Sequence, residues 1–365
     1  MSIAPKIYLV VIAGGSGTRF WPKSTSKRPK QLLSFGKASN FGEEKAPTLL
    51  GQTLSRFDGL VPEAQKLIVT TSLLKEAIEE EGIEVKILAE PQGRNTAPCV
   101  YWAAKYIEQN DPKGVMLVMP SDHYIADTDA FRSVIRSAIE WATLKNDLVT
   151  LGIQPSRPET GYGYLKTGHS LSEKGATPGR TPYQVEAFIE KPDLPKAREF
   201  FSSGNHLWNG GMFVWRVDVI LKAFDTDMPE MKMAWEQNGG DIQAAYPKMT
   251  ATSIDYGIME KAKNVVAFHL DCGWDDLGSW TSLESLAERL QIQKNSNIVN
   301  SGDLLAIDAI DNIIDVGAKR LIALLGVKDL IIAEQGEALL IAHKDRAQDI
   351  RKVVDEVKKR RPELA

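Results

Sequence analysis

Short apolar runs alternate with amphipathic stretches through the first 153 residues, and this alternation limits the possible folds more than any other feature of the sequence. The apolar runs are 7–13, Leu67–Thr71, Glu84–Ala89, Val115–Met119 and Leu148–Ile153. Such runs are typical of parallel strands that are buried on both faces of a sheet. The stretches between them carry apolar residues at spacings of three and four, as crossover helices do: Leu73–Glu81, Ala97–Gln109 and Ala130–Leu144. The pattern predicts an α/β fold with a mixed, mostly parallel sheet.

The character of the sequence changes twice further along the chain. From Gly161 to Val217, aromatic segments punctuated by glycine and proline favour a mixed sheet with loops over a site. After Asn295, short Ile/Leu/Val runs separated by Gly, Asn or Asp predict a small β-solenoid, although one small sheet would give a similar pattern. Asp345–Arg361 predicts a terminal amphipathic helix. We therefore expect a catalytic-size α/β domain over residues 1–290 and a small β-rich domain over 291–365.

Composition excludes several classes of partner. The chain has 44 Lys and Arg against 48 Asp and Glu, a formal net charge of -4, which argues against nucleic-acid binding through bulk charge. No apolar run approaches the roughly 20 residues of a membrane span, and we expect no membrane partner. Cys99 and Cys272 lie far apart in no metal-type spacing, which favours a reducing compartment. With no signal-peptide pattern, we expect a cytoplasmic protein.

The first apolar run leads into a loop rich in glycine and basic residues, "GGSGTRFWPKSTSKRPKQLL". A strand followed by such a turn points backbone N–H groups at an anion. A Walker A loop needs Gly-Lys-Ser or Gly-Lys-Thr, and a dinucleotide loop needs a glycine where Phe20 stands, so neither pattern matches. Arg19 and Lys30 favour a triphosphate, whose many negative oxygens exceed what backbone amides neutralise. The alternative to a phosphate site is that the glycines only allow a tight turn between the strand and the next element. The other loop cations are interpreted as ordinary solvated charges: Lys23, Lys27 and Arg28.

Eight motifs follow one another in order: "AGGSGTRFWP…RPKQLL", "EPQGRNTAPC", "MPSDHYI", "GYGYLKTG", "FIEKP", "WNGGMFVW", "SIDYGIMEK" and "GWDDLGSW". As an ordered set over roughly residues 6–290, they resemble the bacterial mannose-1-phosphate guanylyltransferases. The resemblance implies a Rossmann-like nucleotidyltransferase domain. It also implies the reaction, in which mannose 1-phosphate and GTP give GDP-mannose and pyrophosphate.

Two segments are expected to bind the nucleotide. The glycine-rich loop contributes Ala13, Gly14, Gly15, Gly17, Thr18 and Arg19. The segment "EPQGRNTAP" contributes Gly93, Arg94, Asn95 and Thr96, since guanine carries N–H groups that need acceptors and an O6 and N7 that accept from donors. The alternative is that Asn95 and Thr96 cap a helix that begins near Ala97. The guanine assignment rests mainly on the resemblance.

Asp122 and Asp276 are the metal candidates. Asp122 follows a predicted strand, and ligand crevices of open α/β sheets lie at the carboxyl ends of strands. A carboxylate there suits Mg²⁺, which prefers one or two carboxylates together with substrate phosphates, while helix capping is the alternative for both residues. The resemblance favours Mg²⁺ as the cofactor and implies Asp276 as the second ligand. We expect neighbouring Asp275 to face elsewhere and His123 to support its loop.

The sugar phosphate is expected at Gly163, Glu190, Lys191, Asn209 and Asp255. Gly163 would let the backbone approach the ring, Glu190 and Asn209 would bind hydroxyls, and Lys191 would pair with the phosphate. The resemblance implies a position for Asp255 near the sugar. Each residue also has a structural alternative. Gly163 could be an ordinary strand glycine, Glu190 and Lys191 a surface ion pair, and Asn209 a turn residue.

Three features depart from the family pattern, and one is Gly257 in "SIDYGIMEK", where Ala or Ser is more usual. Gly210 stands in "WNGGMF" where the family usually has serine. The segment "GKASNFGEEKAP", before Thr48, is longer than expected and is interpreted as a surface loop. The tail is too short for the isomerase domain that some relatives carry, so we expect no isomerase activity, and we expect the tail to contact the catalytic domain or a second subunit.

The chemistry that fits is direct displacement at the α-phosphorus of GTP. The attacking phosphate oxygen is already anionic, so neither a general base nor a covalent intermediate is needed. Arg19, Lys30, Asp122 and Asp276 would hold two repelling anions in line and neutralise the transition state. We expect a homodimer, since symmetric dimers are the commonest assemblies. Transfer to another sugar phosphate or from another nucleotide, a non-catalytic GDP-mannose sensor, and an interaction protein built on the tail are the alternatives.

Overall fold

A computed structural model describes residues 5–15, 17–36, 46–171 and 181–365. Residues 37–45, which are most of the segment interpreted as a surface loop, lie outside these ranges, as does Ser16 of the glycine-rich loop. Within the described ranges, no helix combines the length and the apolar composition needed to cross a membrane.

A nine-stranded mixed sheet forms the centre of the N-terminal part, with a separate two-stranded ribbon beside it. The strands are β1 (Ile7–Ile12), β2 (Lys66–Thr71), β3 (Lys86–Glu90), β4 (Val115–Pro120), β5 (Tyr124–Ile125), β6 (Leu148–Ile153), β7 (Tyr164–Ser170), β8 (Tyr183–Ile189), β9 (His206–Arg216), β10 (Val265–Leu270) and β11 (Trp274–Asp275). The large sheet has the order β3-β2-β1-β4-β9-β6-β10-β8-β7, with β7 also paired to β9, and β5 pairs with β11.

The strand directions confirm a mostly parallel sheet. Neighbours β3, β2, β1 and β4 are parallel, as are β6 and β10, while β9 and β8 run against their neighbours. All five apolar runs singled out in the sequence are strands of this sheet, although β3 begins at Lys86 rather than Glu84. The carboxyl ends of β1 to β4 therefore lie at one edge.

Helices cover both faces of the sheet. The ten helices are α1 (Leu49–Ser55), α2 (Ser72–Glu79), α3 (Thr96–Glu108), α4 (Thr128–Leu144), α5 (Leu194–Ser203), α6 (Val217–Asp227), α7 (Pro229–Glu236), α8 (Ile242–Ala245), α9 (Ser282–Leu286) and α10 (Ile350–Arg360) among the described residues. Val10 belongs to the core beneath α3 and α6, whereas Val11 belongs to the core beneath α1 and α4. This alternation is why β1 reads as a continuous apolar run.

The C-terminal part is a small parallel β-helix. Its strands are β12 (Gln293–Lys294), β13 (Asn297–Ser301), β14 (Asp303–Ile307), β15 (Ile313–Asp315), β16 (Leu321–Leu325), β17 (Leu330–Gln335) and β18 (Ala338–His343). Strands β13, β15 and β17 pair in parallel, as do β14 and β16. Buried Asn312 joins three turns, because its amide donates to Asn297 Oδ1 at 2.9 Å while its Oδ1 accepts from the Leu330 N–H at 3.0 Å. The predicted solenoid is confirmed.

The β-helix packs on the N-terminal domain through a shared apolar core. Phe20 and Trp280 of the N-terminal domain meet Ile313, Ile331 and Ile350 of the tail. The terminal helix α10 is shorter than predicted, because the chain first forms a 3₁₀ helix over Lys344–Asp349.

Polar contacts fasten the glycine-rich loop to the tail. Trp21 Nε1 donates to the Leu364 carbonyl at 2.7 Å, and Lys23 Nζ lies 2.9 Å from Asp315 Oδ1. The interpretation of Lys23 as a solvated charge is therefore wrong. Its side chain is 18 % exposed, and it neutralises an aspartate that is nearly buried.

Candidate active site

A cavity of about 480 Å³ opens at the carboxyl ends of β1 to β4. Residues that end these strands or follow them within two positions border it, among them Gly14, Glu90 and Asp122. A second cavity of about 340 Å³ adjoins it and shares four bordering residues: Gly15, Asp122, His123 and Asp276. The two cavities therefore meet at the two aspartates that the sequence singled out, and Lys30, which pairs with Asp122, borders the second cavity.

Gly17 explains how Lys30 reaches this junction. The backbone of Gly17 has φ 59°, and a Cβ built there would lie 2.2 Å from Lys30 Cβ. Any larger residue would push the two segments apart. The buried Lys30 ammonium then lies 2.8 Å from Asp122 Oδ2 and donates to the Asp276 carbonyl at 2.5 Å.

Asp122 and Asp276 face the junction from two different segments. Burial alone would raise the pKa of Asp122, but Lys30 holds it below its usual range. Asp276 Oδ1 accepts from the Tyr162 hydroxyl at 2.7 Å. Helix capping does not account for either residue, since Asp127 caps α4 and Thr281 is the N-cap residue of α9.

Asp275 is used locally and borders neither cavity. Its Oδ1 accepts from the Leu277 N–H at 2.8 Å and its Oδ2 accepts from Ser285 Oγ at 3.1 Å. The two adjacent aspartates therefore have different roles, with Asp276 facing the cavity and Asp275 holding the turn.

Arg19 borders the second cavity, together with Thr18. It donates from Nη1 to the Gly278 carbonyl at 3.3 Å, and its Nε is buried without a hydrogen-bond partner among the described residues. Burial lowers the pKa of the guanidinium. An unsatisfied buried N–H is costly, so an anion that reached this donor would be bound favourably.

Three residues of the "EPQGRNTAP" segment also hold the loop in place. Arg94 Nη1 donates to the Met249 carbonyl at 2.7 Å, Asn95 Oδ1 accepts from the Thr96 N–H at 2.9 Å, and Thr96 Oγ1 accepts from the Ile254 N–H at 2.9 Å. The capping role that the sequence left open for Asn95 is thus observed. All three residues still border the first cavity, as does Gly93.

Glu90 is a buried acidic residue of the cavity that sequence reasoning missed. It ends β3, is 4 % exposed, and accepts a hydrogen bond at Oε1 from the Tyr246 hydroxyl. Burial raises the pKa of Glu90 to about 7. The rule that selected Asp122, an acidic residue at the end of an apolar strand, would also have selected Glu90.

Not every residue of the glycine-rich loop reaches the ligand space. Ala13 borders neither cavity, and its carbonyl accepts from Thr70 Oγ1 at 2.8 Å and Gln31 Nε2 at 2.9 Å. Gly14 and Gly15 are exposed and border the first cavity. The assignment of Ala13 to nucleotide binding is therefore not supported by its position, whereas both glycines are accessible to a ligand.

The other end of the first cavity is acidic and polar. A Cβ on Gly163 would lie 2.4 Å from Glu190 Oε2, so this glycine makes room for the carboxylate. Asn209 Nδ2 donates to Asp255 Oδ1 at 2.8 Å, and Lys191 Nζ lies 2.9 Å from Glu190 Oε1. Burial, with a further contribution from the charge of Glu190, raises the pKa of Asp255 to about 6.

Two further residues, Gly210 and His123, border the first cavity. Gly210 sits where backbone comes close, because a Cβ would lie 2.9 Å from the Leu151 carbonyl. The glycine that departs from the family pattern thus has a packing reason. His123 Nδ1 accepts from Trp274 Nε1 at 3.1 Å, so a neutral His123 carries its proton on Nε2. Burial lowers the pKa of His123, which favours the neutral form.

Comparison with known proteins agrees with this arrangement. The Salmonella typhimurium protein "Mannose-1-phosphate guanylyltransferase RfbM" is 36% identical over 96% of this chain and 72% of its own length. The "Xanthan biosynthesis protein XanB" of Xanthomonas campestris is 35% identical over 96% of this chain and 73% of its own length. A solved structure from Thermus thermophilus, described as a mannose-1-phosphate geranyltransferase, has 33% identity and a TM-score of 0.83, covering 97% of this chain and 99% of that one.

Two sequence-family profiles match consecutive parts of the chain. The profile described as "MannoseP isomerase/GMP-like beta-helix domain" matches residues 302–357, which include strands β14 to β18 and most of α10. The profile described as "Nucleotidyl transferase" matches residues 8–294, the part that contains the nine-stranded sheet and most of the residues around the two cavities. The chain belongs to the nucleotidyl transferase family.

Proposed function

We propose that this protein is a mannose-1-phosphate guanylyltransferase, which transfers GMP from GTP to mannose 1-phosphate and releases pyrophosphate. One observation carries the proposal: a single cavity joins a buried carboxylate, Glu90, at one end to a polar sugar-size end at Asn209 and Asp255. Asp122 and Asp276 border the same cavity, and Lys30 pairs with Asp122. The relatives named as mannose-1-phosphate guanylyltransferases support the same substrates.

Glu90 supports guanine as the base. Guanine presents two adjacent donors on one edge, N1–H and the N2 amino group, and a carboxylate is the side chain that accepts both. Because Tyr246 occupies Oε1, at least one lone pair of Oε1 and all of Oε2 are left for the ligand. A site built around such acceptors leaves buried oxygen atoms unpaired when another base enters, which disfavours that base.

The reaction is a displacement at the α-phosphorus of GTP by a phosphate oxygen of the sugar phosphate. The bond from that oxygen to the α-phosphorus forms, and the bond from the α-phosphorus to the bridging oxygen of pyrophosphate breaks. Lys30 and Arg19 stabilise the negative charge that accumulates on the leaving group. Lys191 pairs with the incoming phosphate, whose oxygen is anionic at neutral pH and needs no base.

Asp122 and Asp276 are the residues that would hold Mg²⁺. No cluster of three or more His, Cys, Asp or Glu side chains suited to a metal occurs among the described residues. A pair of carboxylates beside a phosphate site nevertheless fits Mg²⁺, which takes its other ligands from substrate phosphates and water. When bound, the ion would supply charge neutralisation for the transferred phosphate. Lys30, which pairs with Asp122, would bind the substrate phosphates next to the metal site.

We also propose a homodimer, formed through the outer face of β14 and β16. These paired strands expose Ile307, Leu321 and Leu325, the last with 72 % of its surface accessible. An apolar patch of this kind is typical of an association surface. Light scattering should give twice the monomer mass of 40.4 kDa, and Leu325→Lys should give the monomer mass. A wild-type monomer would contradict this assembly.

The cytoplasm remains our proposed compartment. Cys99 and Cys272 are both free and buried, which agrees with a reducing environment. Secretion of the native protein with both thiols intact would contradict the assignment.

Isotope labelling tests the proposed reaction. The protein is incubated with Mg²⁺, mannose 1-phosphate and GTP that carries ³²P at either the α or the γ position. Label from the α position should appear in GDP-mannose and label from the γ position in pyrophosphate. Release of γ label as inorganic phosphate, with no labelled GDP-mannose, would contradict a guanylyltransferase.

A further inference from the structure

One of the residues that border the second cavity comes from the C-terminal domain. Arg351, in the first turn of α10, borders it together with Arg19, Lys30 and Gly278 of the N-terminal domain. Helix α10 reaches this position because it contacts the 3₁₀ helix Thr18–Phe20, which carries Arg19. The C-terminal domain thus brings a cation, Arg351, to the edge of the nucleotide site. Arg351 and Arg19 lie close together there although they are far apart in sequence.

Arg351 has no acidic partner of its own among the described residues. The nearest carboxylate in sequence, Asp349, is already paired with Arg346 at 2.5 Å and Lys352 at 2.7 Å. Arg19 likewise forms no ion pair within the described part of the chain, and its Nε is buried without a partner there. The pKa of Arg19 is lowered by burial and further by the charge of Arg351, so the two guanidinium groups repel each other across the cavity.

Two unpaired guanidinium groups that face one space form a site for a multiply charged anion. The space adjoins Lys30, Asp122 and Asp276, where the α-phosphate would react, but none of the residues at the base end or the sugar end borders it. A nucleotide that extends from Glu90 past Lys30 therefore has only its terminal phosphates left to enter this cavity.

We propose that Arg351 and Arg19 together bind the β- and γ-phosphates of GTP, and hold pyrophosphate after the transfer. The assignment rests on the proposed function for the identity of the nucleotide, but the anion site itself does not. It makes the β-helix domain part of the active site, and it gives the docking of α10 a catalytic consequence.

Equilibrium binding separates this site from the rest of the cavity. Wild type, Arg351→Ala, Arg351→Lys and the control Lys358→Ala are titrated calorimetrically with pyrophosphate and, separately, with GDP-mannose, both with Mg²⁺. Lys358 is an exposed cation on the same helix that borders neither cavity, so its removal changes the net charge equally. Arg351→Ala should weaken pyrophosphate binding by about tenfold, the effect of losing one charged hydrogen-bonding partner.

GDP-mannose lacks the terminal phosphates, so its affinity should stay unchanged in all variants. Arg351→Lys should recover part of the pyrophosphate affinity, and Lys358→Ala should bind both ligands as wild type does. Equal pyrophosphate affinity in wild type and Arg351→Ala would overturn the proposal. So would a loss that is equal for both ligands, because it would indicate a general disturbance. A wild type that binds pyrophosphate through Arg351 but makes no GDP-mannose would contradict only the proposed function.

Discussion

Buried Lys30 and partly exposed Asp122 form an ion pair at the junction of the two cavities, with 2.8 Å between Nζ and Oδ2. The same ammonium donates to the Asp276 carbonyl, so one cation links the end of β4 to the segment that follows β11. Because the Lys30 ammonium is already fixed in position, it needs little reorganisation when a substrate phosphate binds. Such preorganised charges stabilise transition states strongly.

Replacement of this cation is the first test. Lys30→Met should lower kcat/KM for GTP by about 100-fold to 1,000-fold, the usual cost of removing one preorganised charge from a transition state. Steady-state kinetics measures the effect. Lys27→Met is the control, because Lys27 is exposed in the same loop and borders neither cavity. Equal kinetics for the two variants would remove Lys30 from the mechanism.

The two adjacent aspartates give an internal comparison. Asp276→Asn should lower kcat by at least about 100-fold with the fold retained, since it removes a charge at the reaction centre. Asp275→Asn should cost far less activity, because asparagine still accepts from the Leu277 N–H. Mg²⁺ titration of both variants should show weaker activation only for Asp276→Asn. Near-wild-type turnover of Asp276→Asn is the outcome that this assignment forbids.

Glu90 predicts a pH dependence of nucleotide binding. Its pKa is raised to about 7 by burial, and only the ionised carboxylate accepts both guanine donors. Affinity for GDP-mannose should therefore rise as pH increases through 7, by about tenfold between pH 6 and pH 8 as the ionised fraction grows.

GDP-mannose is the ligand of choice because both of its phosphates are diesters that do not titrate in this range. Glu90→Gln should bind more weakly and lose this part of the pH dependence. Any dependence that remains in Glu90→Gln belongs to other groups, such as Asp255 or His123. Identical pH profiles for the two proteins would show that Glu90 does not meet the base.

Gly17 predicts a stability effect that can be separated into two parts. Gly17→Ala places a Cβ in a left-handed backbone conformation and within 2.2 Å of Lys30 Cβ. Gly59→Ala has the same kind of backbone, at φ 72°, but open space around the Cβ. Urea unfolding should show a loss of about 1 to 2 kcal/mol for Gly59→Ala from the backbone alone, and a clearly larger loss for Gly17→Ala. If the two variants lost the same free energy of unfolding, the glycine-rich loop would be able to move away from Lys30 without cost.

Periodicity and strand ends predicted much of this molecule. The five buried runs are strands because both faces of the sheet are covered, and Asp122 lies in the cavity because it follows β4. The solenoid was predictable because short strands must turn at Gly, Asn and Asp after each run. These features depend on local sequence, which is why they could be predicted from it.

What sequence did not predict depends on contacts between distant segments. Arg94 and Asn95 have side chains that suit guanine, yet both bond to protein groups, and Glu90 is the buried carboxylate that remains. Lys23 and Arg351 resemble ordinary surface charges until the tail docks against the loop, which pairs one with Asp315 and brings the other to the cavity. No local pattern contains that docking.

Substrate selectivity tests the central claim most directly. The rate of pyrophosphate release is measured for wild-type protein with Mg²⁺ and three pairs: GTP with mannose 1-phosphate, ATP with mannose 1-phosphate, and GTP with glucose 1-phosphate. We predict that kcat/KM for the first pair exceeds that of the ATP pair by about 100-fold or more, because adenine presents an N1 acceptor where guanine presents the N1–H donor, which leaves Glu90 incompletely paired. We also predict that the first pair is preferred over glucose 1-phosphate. Equal or higher rates with ATP, or no pyrophosphate from the first pair, would contradict a guanylyltransferase built around Glu90.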